Sequence, residues 1–339
     1  MEENIEENQK NGLEFDKKNM RGVLLNFPEM VRESLNFGKD VEIEGEIDQI
    51  FVLGMGGSGL GGDLLKTYLN DLKIPIHIIK DYNIPKYANK DSLFFAVSYS
   101  GNTEELISTY REAIKINLKR VISISAGGKL MELAAINRNN HITIPRGIQP
   151  RLSTPYQLIP MLNVLANHGI ISDQEKIIKE LAKVLEKPGF EEKAKEIAIK
   201  LKERVPIIYS SQRIFSVAEI WKIALNENAK TPAFYNLFPE FNHNEINGYI
   251  NMTFKPHVIM IKDEEDHPRV IKRVKVIKKL LEERKIEVTA IALNGNNFLS
   301  RIFSSIYLGL WVSFYLAIEY ETDPTEVEII EDLKLDLKK

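Results

Sequence analysis

Two short stretches carry more glycine and more hydroxyl than local structure alone requires. Gly54 to Gly62 reads GMGGSGLGG, six glycines in nine residues, and Ser98 to Thr103 reads SYSGNT, three serine and threonine hydroxyls around one glycine. A glycine run at a helix start lets backbone approach a ligand, and the unbonded amides there carry partial positive charge, so an anion is the natural guest. Tight packing of strand on helix is the plainer explanation, but one or two glycines would serve it. In SYSGNT, capping by Asn102 with Glu105 three residues on accounts for those two residues and for neither serine. A phosphomonoester accounts for more. Its three terminal oxygens each accept several hydrogen bonds, which serine and threonine hydroxyls and loop amides supply. Neither stretch contains lysine or arginine, and the P-loop ending is missing, which suits a sugar phosphate better than a nucleoside triphosphate.

Two rivals stay open on these residues. Gly54, Gly56 and Gly59 satisfy G-x-G-x-x-G, and Asp81 ends the next strand at about the ribose-binding distance, the pattern of a nicotinamide-dependent oxidoreductase. That reading leaves Ser98, Ser100, Asn102 and Thr103 without a task. The other rival is a non-catalytic sugar-phosphate sensor. It would need a nucleic-acid surface, and the basic stretch Arg269 to Lys285 is the candidate. Val270, Val274, Ile277 and Leu281 form a buried stripe there, so its lysines read as a solvated face.

The elements that must position these residues are legible as alternating apolar runs and amphipathic stretches. Strands are expected at 49–55, 74–82, 92–100, 120–128 and 141–147, then at 205–211, 257–263 and 287–293. Helices between them imply parallel sheets covered on both faces, α/β in class and doubly wound, with ligands at the carboxyl ends of the strands. The expected division is 1–160 for a first domain behind a polar N-terminal extension, 161–200 for a helical connector, and 201–339 for a second domain closed by a C-terminal helix. VLGMGGSGLGGDLLKTYL and PIIYSSQRIFSVAEIWKIAL align as strand, polar loop and helix, which suggests a duplication.

Composition narrows the class. Of 339 residues 44% are apolar and 27% charged, with a net charge of −3, so nothing draws the chain as a whole to nucleic acid. Cysteine is absent, which removes disulfides, thiolate metal sites and cysteine nucleophiles. No two histidines have metal-ligand spacing. The acidic, polar start is unlike a signal peptide. The longest apolar run, Tyr307 to Tyr320, is expected to be a buried helix too short for a membrane span, and the expected address is the cytoplasm.

GMGGSG (54–59), SYSGNTEE (98–105), Pro150–Arg151, NENAK (226–230) and NHNEI (242–246) follow in this order. With them the chain, from about residue 50 onward, resembles the bifunctional phosphoglucose/phosphomannose isomerases of the sugar isomerase superfamily. The resemblance implies a homodimer of chains with two flavodoxin-like αβα sugar isomerase (SIS) domains, neither metal nor organic cofactor, and interconversion of aldose and ketose 6-phosphates. It assigns the phosphate to Gly57, Ser58, Ser98, Ser100 and Thr103. Glu227 is the implied base, since moving a proton between C2 and C1 needs one carboxylate. His243 is implied in opening the sugar ring, reaching the site from the partner subunit, and imidazole titrates near neutral pH. Lys334 assists that step. Arg151 offsets the enediolate charge, its planar fork suiting two adjacent oxygens, with Arg146 as the rival position. The other histidines and Tyr99 are expected to be structural, and the pattern cannot be placed on Thr322 to Glu328.

Overall fold

The computed structural model describes residues 12–337; the acidic start up to Asn11 and the tail Lys338–Lys339 lie outside the described residues. Contacts divide the chain into two compact units. One comprises Asn26–Glu186 with Gly295–Ser300, and the other comprises the residues up to Leu25, Lys187–Asn294 and Arg301–Lys339. Each holds one parallel sheet.

In the first unit the strands are β1 (Gln49–Leu53), β2 (Ile76–Ile79), β3 (Ser92–Val97), β4 (Arg120–Ser125) and β5 (Asn140–Thr143), in the order β2-β1-β3-β4-β5 and all parallel. That is the flavodoxin-like order, not the order of a dinucleotide fold. QIFVL and SLFFAV are buried along their whole length, as parallel strands covered on both faces must be. Phe51 and Phe94 stack at 4.7 Å on adjacent strands, and Leu106, Tyr110 and Ala113 pack over them. Those three recur at helical spacing in the amphipathic helix after β3.

Chain order gives the helices α1 (Met20–Leu25), α2 (Phe27–Ser34), α3 (Gly56–Tyr68), α4 (Glu104–Lys115), α5 (Gly128–Asn137), α6 (Thr154–Asn167), α7 (Glu175–Leu185) and α8 (Phe190–Leu201). The expected connector at 161–200 is not a separate body. α6 and α7 belong to the first unit and α8 to the second. Nor are the described residues before β1 a detached extension. Arg21 in α1 forks onto Glu191 at 2.9 and 3.1 Å, and Tyr307 donates to the Leu24 carbonyl. Past α2, Asn163 and Asn167 of α6 donate to the carbonyls of Leu35, Phe37 and Lys39.

The second sheet runs β7-β6-β8-β9, again all parallel, with β6 (Val205–Ser211), β7 (Phe234–Phe238), β8 (Pro256–Lys262) and β9 (Glu287–Ala292). β7 is absent from the sequence expectations. It is a half-exposed edge strand, FYNLF, between Pro232 and Pro239, and neither a continuous apolar run nor a strict alternation marks it. The helices are α9 (Phe215–Asn228), α10 (Pro268–Glu283), α11 (Phe298–Glu319) and α12 (Glu328–Asp336). Val274, Ile277 and Leu281 are the buried stripe of α10. α11 is the expected buried helix; its 22 residues begin ahead of the apolar run and by length and composition could cross a membrane, and 94% of its most apolar window is buried in the fold.

Candidate active site

The glycine run is the end of β1 and the first turns of α3. Backbone packing explains more of it than the sequence suggested. A Cβ at Gly57 would stand 2.6 Å from the Arg151 amide nitrogen, and one at Gly61 would stand 2.5 Å from the Gln157 Cβ. α3 therefore lies against the Pro150–Leu152 turn and α6 as closely as backbone allows. Gln157, fully buried, brackets the junction: it accepts the Gly61 amide at 2.9 Å and offers its own amide group to the carbonyls of Gly57 (2.8 Å) and Pro150 (3.0 Å) and to Ser153 Oγ. At the mouth of the helix no side chain caps α3, whose first amides have no partner within the helix.

The hydroxyl loop joins β3 to α4. Gly101 takes φ +69°, and a Cβ there would stand 1.8 Å from the Gly127 carbonyl oxygen; glycine is required, and the turn closes against the end of β4. Ser98 is fully buried. Its Oγ accepts the Gly101 amide at 3.1 Å and shares a proton with Thr103 Oγ1 at 2.9 Å. Ser100 Oγ accepts the Asn102 amide at 3.2 Å, and Ser58 Oγ accepts the Tyr99 amide at 2.9 Å, tying the two loops together. A hydroxyl oxygen that has taken an amide proton keeps its own proton for another acceptor, so these serines are preset as donors. Thr103, not Asn102, is the N-cap of α4. Asn102 instead accepts the Lys129 amide at 3.0 Å and so caps the neighbouring helix α5.

Tyr99 does more than pack: its hydroxyl accepts the Ile148 amide at 3.0 Å, on the segment leading to Arg151, and burial raises its pKa. Arg151 is 2% exposed, with Nη1 3.5 Å from Gln149 Oε1. The rival Arg146 is exposed and donates to the Ala126 carbonyl. A cation does reach the glycine run from outside it: Lys80, past the end of β2, pairs at 2.8 Å with the buried Asp63 of α3. Asp81 accepts the amide of Tyr82, its own neighbour, at 2.6 Å.

In the second unit NENAK closes α9. The buried Asn228 donates to Ser313 Oγ at 2.8 Å, Asn226 to the Thr231 carbonyl at 2.9 Å, and Lys230 Nζ to the carbonyls of Asn228 (3.1 Å) and Asp323. Glu227 lies half-buried between the two asparagines. The Lys230 contact also brings the unplaced Thr322–Glu328 segment to this helix end. NHNEI follows β7. His243 ends a short 3₁₀ turn and is exposed. Asn244 accepts the Glu245 amide, and Glu245 is anchored to the sheet, accepting from Tyr209 at 2.5 Å and from Asn236, while Tyr249 meets Tyr209 at 2.8 Å. Burial foremost pushes both phenols far above their usual range. Lys334, in α12, is exposed and pairs at 2.7 Å with Glu331 one turn earlier.

Residues 190–337 match the family model described as bacterial phospho-glucose isomerase C-terminal SIS domain. A bifunctional phosphoglucose/phosphomannose isomerase from Caldicellulosiruptor bescii is 39% identical over 91% of this chain and 96% of its own length. A second protein of that name, from Aquifex aeolicus, is 38% identical over 86% and 90% of the two chains. The chain belongs to the bifunctional phosphoglucose/phosphomannose isomerase family. In fold it is similar to a hypothetical protein from Thermus thermophilus, with a TM-score of 0.78, 16% identity, and coverage of 98% of this chain and 93% of that one. The second sheet lies within the residues matched by the SIS-domain model.

Within the isomerase, Gly57, Ser58, Ser98, Ser100 and Thr103 converge at the tips of β1 and β3, and Arg151 joins them through its backbone contact with Gly57. Glu227, His243 and Lys334 stand on three separate elements of the second unit. Sequence reading missed Gln157 and Glu245. The signal for Gln157 was available, since it is the one glutamine of the apolar helix that directly follows Pro150–Arg151.

Proposed function

We propose that this chain interconverts glucose 6-phosphate and mannose 6-phosphate with fructose 6-phosphate through a cis-enediol(ate). Family membership over 91% of its length carries the proposal, and the preset hydroxyls of the first sheet support it. Ser58, Ser98, Ser100, Thr103 and the Gly57 amide hold the phosphate. Glu227 takes the proton from C2 and returns it to C1, and Arg151 offsets the charge that develops on the adjoining oxygens. His243 and Lys334 move protons during ring opening.

A homodimer in the cytoplasm is the working form, with His243 of the partner subunit serving each site. Chain order supports this. Glu227 precedes β7 and His243 follows it, and five strand residues at about 3.3 Å each put roughly 17 Å between the two ends. The exposure of His243 fits the same arrangement.

The test is fructose 6-phosphate formation from each aldose phosphate with no added metal or nucleotide. Formation from both is expected, and from neither overturns the assignment. Mixing inactive Glu227→Gln and His243→Ala proteins tests the shared site. Recovery of activity on subunit exchange is expected, and its absence in a proven mixed dimer rejects the partner's role.

A further inference from the structure

The first four strands of the two sheets occupy matching positions, β2-β1-β3-β4 against β7-β6-β8-β9. The tips of β6 and β8 thus correspond to the tips of β1 and β3, where the hydroxyl loops stand. The second pair is already filled. Past β6 and β8, the guanidinium forks of Arg213 and Arg301 both grip the same two carboxylates. Arg213 meets Asp263 Oδ2 through Nη1 and Glu265 Oε2 through Nη2 at 3.1 Å. Arg301 meets Asp263 Oδ1 through Nε at 3.2 Å and Glu265 Oε2 through Nη2. The Asp263 side chain is fully buried, and that of Arg301 is 12% exposed. Ser211, the counterpart of the residues leading into the glycine run, donates to Asp266 Oδ1 at 2.6 Å.

We infer that this is a second phosphate berth of the same topological origin, kept shut by the chain's own carboxylates, and that the closure confines the sugar phosphate to the first sheet. The inference rests on the reading that the hydroxyl loops hold phosphate. Two converging guanidinium forks are the geometry that binds a tetrahedral oxyanion, and here carboxylate oxygens occupy their donors. Ser211, unlike Ser58 and Ser100, has spent its proton on an internal acid. Replacing the two carboxylates leaves two largely buried guanidiniums with Asp266 as a nearby acid, an excess of positive charge that an anion of charge near −2 would relieve. The ligand class is inorganic phosphate or a phosphomonoester.

The experiment compares the full-length wild type with Asp263→Ser/Glu265→Ser, measuring melting temperature against inorganic phosphate and the binding stoichiometry of fructose 6-phosphate. The wild type is expected to take one equivalent per chain. The variant should melt lower without phosphate, recover with a dose-dependent rise larger than that of the wild type, and take a second equivalent. A variant that takes one equivalent, with a phosphate response equal to the wild type's, overturns the closed berth. So does a second equivalent in the wild type that is lost on Arg301→Met. If the double variant does not fold, Asp263→Asn removes the buried charge at nearly constant shape and is read the same way. Failure of the underlying reading looks different: the wild type then binds no phosphate, whether or not the variant gains one.

Discussion

At the tips of β1 and β3 the side chains are three serines that have each accepted a backbone proton, with Thr103 bonded to one of them. At the matching tips of β6 and β8 they are carboxylates and guanidiniums that saturate one another. Strand order and direction are shared, so the fold does not decide which end takes a ligand. What differs is whether polar groups at the strand tips are satisfied from within. In the proposed reaction the second sheet contributes instead around its edge strand, with NENAK before β7 and NHNEI after it. The proposed division of labour, binding in one unit and proton transfer in the other, is what mutations can break.

The largest effect is expected from Glu227→Gln. Removing a positioned base costs about 10²- to 10⁴-fold in rate, while the hydroxyl loops of the other unit are untouched. Exchange of the C2 proton with solvent should fall by that factor with fructose 6-phosphate binding unchanged. Loss of binding in step with exchange would mean the two units do not divide the work.

Next is Gln157→Leu. The substitution strips partners from the Gly61 amide and the Gly57 and Pro150 carbonyls in a fully buried junction, at a cost on the order of 3 kcal/mol. Melting temperature should fall, and KM should rise as the glycine run loosens from the Arg151 turn. An unchanged KM in a folded variant would show that the run needs no bracket.

The same residue shows where sequence reading stops. β1, β3 and their loops are legible because continuous apolar runs ending in glycine or serine are local signals. The density of glycine is only partly interpretable locally: Gly54, Gly59 and Gly62 are crowded by β1 and α3 themselves, whereas Gly57 and Gly61 face the Pro150–Leu152 turn and α6, about a hundred residues downstream. Asn102 reads as the cap of its own helix because sequence cannot show that its carbonyl reaches Lys129 on the next one. β7 carries little burial and so little pattern. The Arg301–Asp263 pair joins residues from α11 and the end of β8, and neither has a distinctive neighbour in sequence. The Glu227 and His243 motifs are reached through resemblance, because an acid at a helix end and an exposed histidine have no periodicity to betray them.

A paired substitution sharpens the contrast between the sheets. Ser58→Ala and Ser100→Ala each remove a donor to a charged ligand, about 1.5–3 kcal/mol, or roughly ten- to hundredfold in sugar-phosphate affinity. Ser211→Ala at the corresponding tip should leave affinity unchanged and lower stability instead, through the lost bond to Asp266. Titration calorimetry and thermal melts on the three variants separate the outcomes. A weakened affinity in Ser211→Ala would make the second tip part of the site.

The smallest expected effect is a pH dependence to which both sheets contribute. Each sheet carries on a strand a histidine with a hydroxyl 2.8 Å from its ring: the half-buried His141 on β5, Nδ1 against Ser123 Oγ, and the buried His257 on β8, Nε2 against Thr289 Oγ1. Burial lowers both imidazole pKa values below the ordinary 6.5, and for His257 the Glu287 carboxylate 3.4 Å away pulls in the opposite direction. With a lowered folded-state value, the unfolded chain binds more protons than the native one. Stability is therefore full above 6.5 and declines as pH falls from there through the lowered values. Urea melts between about pH 5 and pH 7.5 should show that decline. His141→Gln and His257→Gln should each flatten it. An unchanged slope in either variant would mean that its imidazole takes up protons as readily in the folded chain as in the unfolded one.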